Sequence, residues 1–296
     1  MDGLAKASIL DIDGVAVPAE WTPLLDSYGS ASAAYSVRLL RTAYTGDVMR
    51  VRRASDNVEA DVAFNSANEI GLTSAISNTS DAQSYTDFAD FVDHTGTPTN
   101  AFVRYWYDQS GNANDAGQST AVEQPKIYNA TTPGIVEKNS RPGLSFAFNL
   151  FNLTSQISFT GNAHFQSVAE YKLGRFFYGG PSGHFMQVES GAGAGTMNYR
   201  GFGADVFGTP TYTADEQSYH TVARDASNTC RIYYKGTLLD TELNRTATTY
   251  LDRIGEGNGG TAGIYDGIFQ EMIVWAIDQT SNRTGIDSNQ NSYYSF

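Results

Sequence analysis

The chain has 296 residues, and its 19 Lys and Arg stand against 32 Asp and Glu, a formal net charge of −13. At about 150 residues per domain this length allows one or two domains, and all-β units of such size often fold as one. The negative balance repels phosphate backbones and argues against a nucleic-acid partner, while a single cysteine, Cys230, supplies neither an intrachain disulfide nor the paired thiolates of a structural zinc site.

Along the chain, residues 1–30 read as an arm or linker: Ala5 to Ala19 alternates weakly, Pro18 and Pro23 interrupt it, and Ser27 to Ser32 is rich in small turn formers. Asp11 and Asp13 break the only apolar candidate near the start, so no Sec-type signal peptide is expected. No apolar run reaches the ~18–20 residues of a membrane helix, and no membrane insertion is expected. From Tyr35 the pattern becomes β. Tyr35–Leu40 and Asp47–Arg53 alternate with period two about a turn at Thr45-Gly46, which predicts two paired strands with Arg50, Arg52 and Arg53 on a solvated face. Ile70, Leu72, Ile76, Tyr85, Phe88 and Phe91 predict a helical excursion, with Ser84 or Thr86 capping the segment Asp87–Val92.

Ala101–Tyr107 is a strongly β-prone strand, and Asp108–Asp115 after it is a polar turn of residues that tolerate positive φ. Strands follow at 124–128, 141–148, 164–171, 175–178, 185–189, 197–202, 219–224, 230–234 and 267–277, separated by glycine-rich turns. Lys235-Gly236 reads as a hairpin tip. The tail 281–294 predicts a last helix, capped by Ser281 or Thr284, with Ile286 towards the body. Many short strands at spacings of roughly ten residues predict an all-β, antiparallel jelly-roll sandwich over residues 31–296, with an extended N-terminal arm and short helical excursions.

Three patches carry a resemblance: Tyr105-Trp106-Tyr107-Asp108-Gln109-Ser110-Gly111-Asn112-Ala113-Asn114, then 141–146, then Tyr265–Val274. Together they resemble concanavalin A-like, laminin-G-like jelly rolls, and the first is similar to the catalytic domain of α-L-arabinofuranosidase B. The resemblance implies a retaining glycosidase whose nucleophile and acid/base carboxyls lie about 5 Å apart. Where it implies the nucleophile this chain reads Gly183-His184-Phe185-Met186-Gln187, without a carboxylate. Where it implies the acid the chain reads Glu256-Gly257-Asn258, with glycine at the expected position. The family's adjacent cysteines are missing as well. Glu189 and Glu256 are the nearest carboxylates, and a glycoside hydrolase built on that pair is the alternative. The scaffold is therefore expected without the catalysis.

For binding, Trp106, Asp108, Gln109, Asn112 and Asn114 are the candidate glycan contacts, since strand followed by polar loop is a natural place for a site. The oxygen atoms of Asp108, Gln109, Asn112 and Asn114 would also suit calcium, and no other cofactor is expected. The competing reading is structural: Asx-type bonds inside the turn, Trp106 in the core, and Glu271 bonded to an amide or an arginine. His94, His164, His184 and His220 have no metal-ligand spacing, so no metal site is expected. No Gly-x-Ser-x-Gly elbow occurs, and the glycine-rich 190–195 stretch reads as a loop tip.

Similar chains occur as virion or tail-fibre proteins of tailed bacteriophages. That resemblance implies a protein made in the host cytoplasm without a signal peptide and carried on the virion surface. Residues 1–30 would contact other virion proteins, and the sandwich would meet host surface polysaccharide, as a tail fibre or a capsid decoration. A homo-oligomer is expected, a trimer in the case of a fibre. A ligand-free structural spacer is the remaining alternative.

Overall fold

The structure, a computed structural model, describes residues 22–172, 174–179, 184–188, 196–211, 215–255 and 265–296. Among them the chain is nearly all antiparallel strand, with helices α1 (Leu24–Ser27), α2 (Phe88–Val92) and α3 (Arg283–Tyr294). The expected all-β sandwich is the fold observed.

The strand Asp266–Trp275 lies at the middle of one layer. Ala33–Ser36 and Leu144–Ala147 pair along one edge of it, and Ala163–Tyr171 pairs along the other. From Ala163–Tyr171 the layer continues through Glu216–Arg224, Cys230–Tyr234 and Thr237–Glu242. The facing layer runs from Glu59–Val62 through Met49–Arg53, Ala101–Trp106, Ala116–Gly117, Phe151–Phe159 and Thr249–Ile254 to Gly174–Gly179. Lys126–Asn129 bonds to Ala101–Trp106 and to Leu144–Ala147, so the two layers are joined as one curled sheet.

Alternation sends every second side chain inward, and aromatic rings fill the space. Trp106 has no solvent exposure, and its ring centroid lies 6.0 Å from Tyr35, 6.2 Å from Phe151 and 6.3 Å from Phe269. Ala163–Tyr171 is buried at all nine positions, because its outer face is covered too. Gln166 Nε2 donates to Asp287 Oδ1 at 3.1 Å and to Gln290 Oε1 at 2.7 Å, both on α3. Ile286 is buried, as its place in the tail pattern predicted. Lys235 and Gly236 both take positive φ, 49° and 72°, the conformation of a two-residue hairpin turn.

Four local expectations are corrected. Tyr35–Leu40 and Asp47–Arg53 do not pair with each other. Ala33–Ser36 joins Asp266–Trp275, while Met49–Arg53 lies between Glu59–Val62 and Ala101–Trp106. The Thr45-Gly46 turn therefore connects the two layers and closes no hairpin. Arg52 and Arg53 are not solvated: both are buried, Arg52 Nε donating to Gln124 Oε1 at 2.7 Å and Arg53 Nη1 to the Phe91 carbonyl at 2.7 Å. The cap of α2 is Asp87, which accepts from the Asp90 amide at 3.0 Å. Neither Ser281 nor Thr284 caps α3, whose N-cap residue is Asn282.

The boundary at residue 30 also meets a packed segment. Leu24 and Leu25 are buried in one cluster with Ile273, Trp275 and Ile286. Trp275 Nε1 donates to the Tyr28 and Gly29 carbonyls at 3.0 and 3.1 Å. Residues 22–30 thus belong to the body, and their loss would uncover apolar side chains and leave an indole N–H unpaired. The expected arm at 1–21 lies outside the described residues.

Candidate functional site

Strand Ala101–Trp106 delivers the polar loop at 107–115, and the loop is held by bonds to its own side chains. Asp108 accepts four hydrogen bonds: Oδ1 from the amides of Ala34 and Ser110, at 2.8 and 2.9 Å, and Oδ2 from Ser110 Oγ and the Asn114 amide, at 2.8 and 3.1 Å. Gln109 accepts from the Leu40 amide at 2.8 Å and donates to the Ser36 and Arg38 carbonyls at 3.2 and 3.1 Å. Asn114 is clamped to Ser155, donating to its carbonyl at 3.0 Å and accepting from its amide at 2.7 Å. Trp106 Nε1 donates to the Ser36 carbonyl at 3.1 Å. Asn112 is exposed, but its amide nitrogen donates to the Ala31 and Ser32 carbonyls at 3.0 and 3.1 Å.

Of the five residues picked out for glycan contact, Trp106 is therefore corrected to a core residue: its ring is inside the sandwich and presents no face to a sugar. Asp108, Gln109 and Asn114 are buried with their polar atoms directed at the protein, as buried polar groups must be. They shape the loop, and other residues line the space beside it.

Those others face a groove of about 360 Å³ beside the loop, lined by Tyr44, Asp47, Tyr107, Gly111, Ala113 and Asp115 together with Gly46 and the edge of Asp108. Tyr107 follows Trp106 and so points to the opposite side of the strand. Its hydroxyl donates to Asp61 Oδ1 at 2.7 Å, and its ring stacks parallel on Tyr105 at 6.4 Å. Tyr44 comes from the turn before Met49–Arg53. Its hydroxyl donates to the Asp47 carbonyl at 2.8 Å, and its ring meets Phe64 edge-on at 6.2 Å. A Cβ on Gly46 would lie 2.6 Å from the Tyr44 hydroxyl, so only glycine lets the ring fold back over the turn. Arg41 Nη1 holds the opposite rim by donating to the Ser110 carbonyl at 3.0 Å.

Electrostatically the groove is negative. Burial, and after it the charge of Asp61, raises the Asp47 carboxyl above its ordinary range. Burial raises Asp115 too, with the Asp108 charge adding to it against the bond that Asp115 Oδ1 accepts from the Asp108 amide at 2.9 Å. Burial and neighbouring carboxylates raise both tyrosines, which stay protonated donors. Among the described residues the Asp47 carboxylate and Asp115 Oδ2 accept no side-chain or backbone hydrogen bond. Two ring faces and two open acceptor groups in a concave site suit a ligand with an apolar face and hydroxyl edges.

The sequence reading does not bring Tyr44, Asp47, Tyr107 and Asp115 together as the lining of one groove. Tyr107 was separable from Trp106 by strand alternation alone. Tyr44 and Asp47 flank a turn about sixty residues upstream, and no local pattern brings them to the loop.

The glycosidase alternative rests on Glu189 and Glu256, and both lie outside the described residues, as does the 190–195 loop. His184 Nδ1 accepts from the Tyr250 amide at 3.2 Å and its ring lies flat on Tyr250 at 5.4 Å. His164 and His220 are fully buried, and burial lowers them to about 4 and about 3. Among the described residues no three His, Cys, Asp or Glu side chains gather as metal ligands, and no helix is long and apolar enough to cross a membrane.

Fold and site together define an antiparallel jelly-roll sandwich with an open aromatic groove at one loop end. No family model matches the chain, and no curated protein matches it. Among solved structures it is similar to an arabinofuranosidase complexed with arabinofuranosyl-α-1,2-xylobiose, with a TM-score of 0.57 and 14% identity over 91% of this chain and 64% of that chain. It is similar also to an α-L-arabinofuranosidase soaked with a cyclic sulfate inhibitor, with a TM-score of 0.58 and 14% identity over 88% of this chain and 62% of that chain. The chain thus spans just under two thirds of the length of each. At this identity the likeness is one of fold.

Proposed function

We propose that this protein is a non-catalytic carbohydrate-binding protein that holds glycan in the groove between Tyr44 and Tyr107. The observation that carries the reading is the pairing of those two ring faces with the open carboxylates of Asp47 and Asp115. A sugar ring offers C–H bonds on one face and hydroxyls at its edge, and this groove has a counterpart for each. The test is a glycan array of bacterial surface polysaccharides and arabinan oligosaccharides, with released sugar assayed in the same wells. Binding without release, lost in Tyr44→Ala and Tyr107→Ala, is expected. Binding that survives both substitutions would move the site elsewhere.

The setting we propose is the surface of a bacteriophage particle, as a tail fibre or capsid decoration acting on host polysaccharide in a homo-oligomer. A low-charge, aromatic- and glycine-rich sandwich with one buried thiol supports it, because such a core matures without disulfides in a reducing cytoplasm. Repeated weak contacts across copies would supply the avidity that one open groove lacks. Attachment to other virion proteins is assigned to the N-terminal residues, and calcium at the loop is tested by chelation.

A second reading, glycoside hydrolysis, is favoured by the fold shared with two arabinofuranosidases. It requires sugar release that Glu189→Gln or Glu256→Gln abolishes.

A further inference from the structure

The groove has a sign as well as a shape. Its lining holds Asp47, Asp108 and Asp115, and Asp61 stands directly behind the Tyr107 hydroxyl. Two arginines stand nearby, one ion-paired and one at the rim. Arg50 donates to Glu59 Oε2 at 2.9 Å and to Asp61 Oδ1 at 3.0 Å, and Arg41 donates to the Ser110 carbonyl at 3.0 Å. Neither guanidinium belongs to the lining. A carboxylate or phosphate on a ligand would thus meet three lining carboxylates and no lining cation, with Arg41 only at the rim, an arrangement that costs affinity.

The same carboxylates suit a different chemistry. An ionised carboxylate has two oxygens and accepts only, so it takes two adjacent hydroxyl donors at once. Asp108 is excluded from that role, since both its oxygens are filled by the loop. Asp47 has both oxygens open, and Asp115 has Oδ2 open.

We infer that the groove selects neutral glycans that present a vicinal diol, and disfavours uronic, sialic and phosphorylated sugars, because Asp47 and Asp115 line it and no lysine or arginine does. This rests on the carbohydrate-binding reading above and names the ligand class for the same groove. Tyr44 and Tyr107 hold the apolar face of the sugar, Asp47 accepts the diol, and Asp115 accepts a further hydroxyl on the loop side. The residues in these roles are binding residues, and the inference gives them no part in bond cleavage.

The experiment uses the full chain and matched pairs of oligosaccharides that differ in one group: galactose-terminated against galacturonate-terminated, and glucose-terminated against glucuronate-terminated. Titration calorimetry on the pairs is expected to give at least a tenfold preference for the neutral member, with affinity unchanged by a calcium chelator. Asp47→Asn, which keeps volume but offers one acceptor and a donor pair, is expected to weaken neutral binding about tenfold and to narrow the preference. Equal or stronger binding of the acidic member, with Tyr44→Ala still abolishing it, would overturn the inference and leave the groove as the site. Loss of binding on chelation would overturn it as well, since a cation would then stand between carboxylate and diol. No binding of any member, or binding indifferent to Tyr44→Ala and Tyr107→Ala, would instead overturn the reading of the groove itself. Far-ultraviolet circular dichroism and thermal melting of each variant separate lost binding from lost fold.

Discussion

Arg38 and Glu271 lie 233 positions apart and meet as a two-pronged ion pair, Nε to Oε2 at 2.7 Å and Nη2 to Oε1 at 3.1 Å, with both side chains fully buried. Gln290 Nε2 adds a bond to Glu271 Oε1 at 2.8 Å and Ser36 Oγ one to Oε2 at 2.9 Å. The pair sits between the layer of Asp266–Trp275 and α3, so that helix is seated on a polar interface. Burying an ion pair costs about as much as its attraction returns, and its effect is felt mainly when one partner is removed.

Glu271→Gln should therefore destabilise by about 3–5 kcal/mol, because Arg38 keeps its charge and loses its counterion. Replacing Arg38 and Glu271 together by apolar residues of similar volume should recover most of that loss. Urea unfolding of Glu271→Gln and of the apolar double variant measures both, and a double variant as destabilised as the single one would contradict this account.

Asp108→Ala removes an acceptor from four donors at once, three of them backbone amides. A loss of about 2–4 kcal/mol is expected, on the scale of several buried donors left unpaired. Native-state hydrogen exchange should show the amides of Ala34, Ser110 and Asn114 losing protection first.

Acid should weaken the fold through His164 and His220. His164 lies against the Trp275 ring at 5.4 Å, and His220 among the rings of Tyr171, Phe176 and Tyr234. Burial lowers them to about 4 and about 3, below the ordinary value near 6.5. A lowered histidine contributes stability above its unfolded value, and that contribution is lost as pH falls through the folded value, on the order of 3 kcal/mol for each. Unfolding free energies at pH 7 and pH 4.5 should differ in this direction, and His220→Phe should reduce the difference.

In the groove the sign is opposite for stability and for binding. Asp47 and Asp115 are raised in the folded chain, so the protonated form favours folding and that advantage is lost as pH rises through the folded values. Asp47→Asn should consequently stabilise the protein at pH 7 while weakening glycan binding. Wild-type binding should fall on acidification, starting above the usual aspartate range near 3.9. Facing the two carboxylates are Asp61, Asp108, Arg41, Arg50 and two tyrosines that burial keeps protonated. A binding curve flat over that interval would contradict the role of the two carboxylates.

Much of the fold was legible in order. Ala101–Trp106, Cys230–Tyr234 and the Lys235-Gly236 tip follow from alternation and from residues that accept positive φ, both local properties. Phe151–Phe159 was missed. Phe151, Leu153, Ile157 and Phe159 do alternate, but Ser155 interrupts the apolar series where the register shifts between Asn152 and Ile157. Arg52 and Arg53 were misplaced because alternation reports which residues share a face and is silent on what covers that face. In the Asp-Gln-Ser-Gly-Asn stretch the conspicuous residues build the loop, and the plainer Tyr44, Asp47, Tyr107 and Asp115 line the groove beside it.

The sequence by itself determined many of the strand and turn positions, the antiparallel class and the acidic character, because these depend on side-chain period, backbone preference and charge count. Only the tertiary structure decided which layer each strand joined, that α3 and residues 22–30 would cover the outer face, and that a turn at Gly46 would stand opposite Asp115. Those outcomes come from contacts between distant segments, whose energies rest on shape and burial that no local window of sequence records.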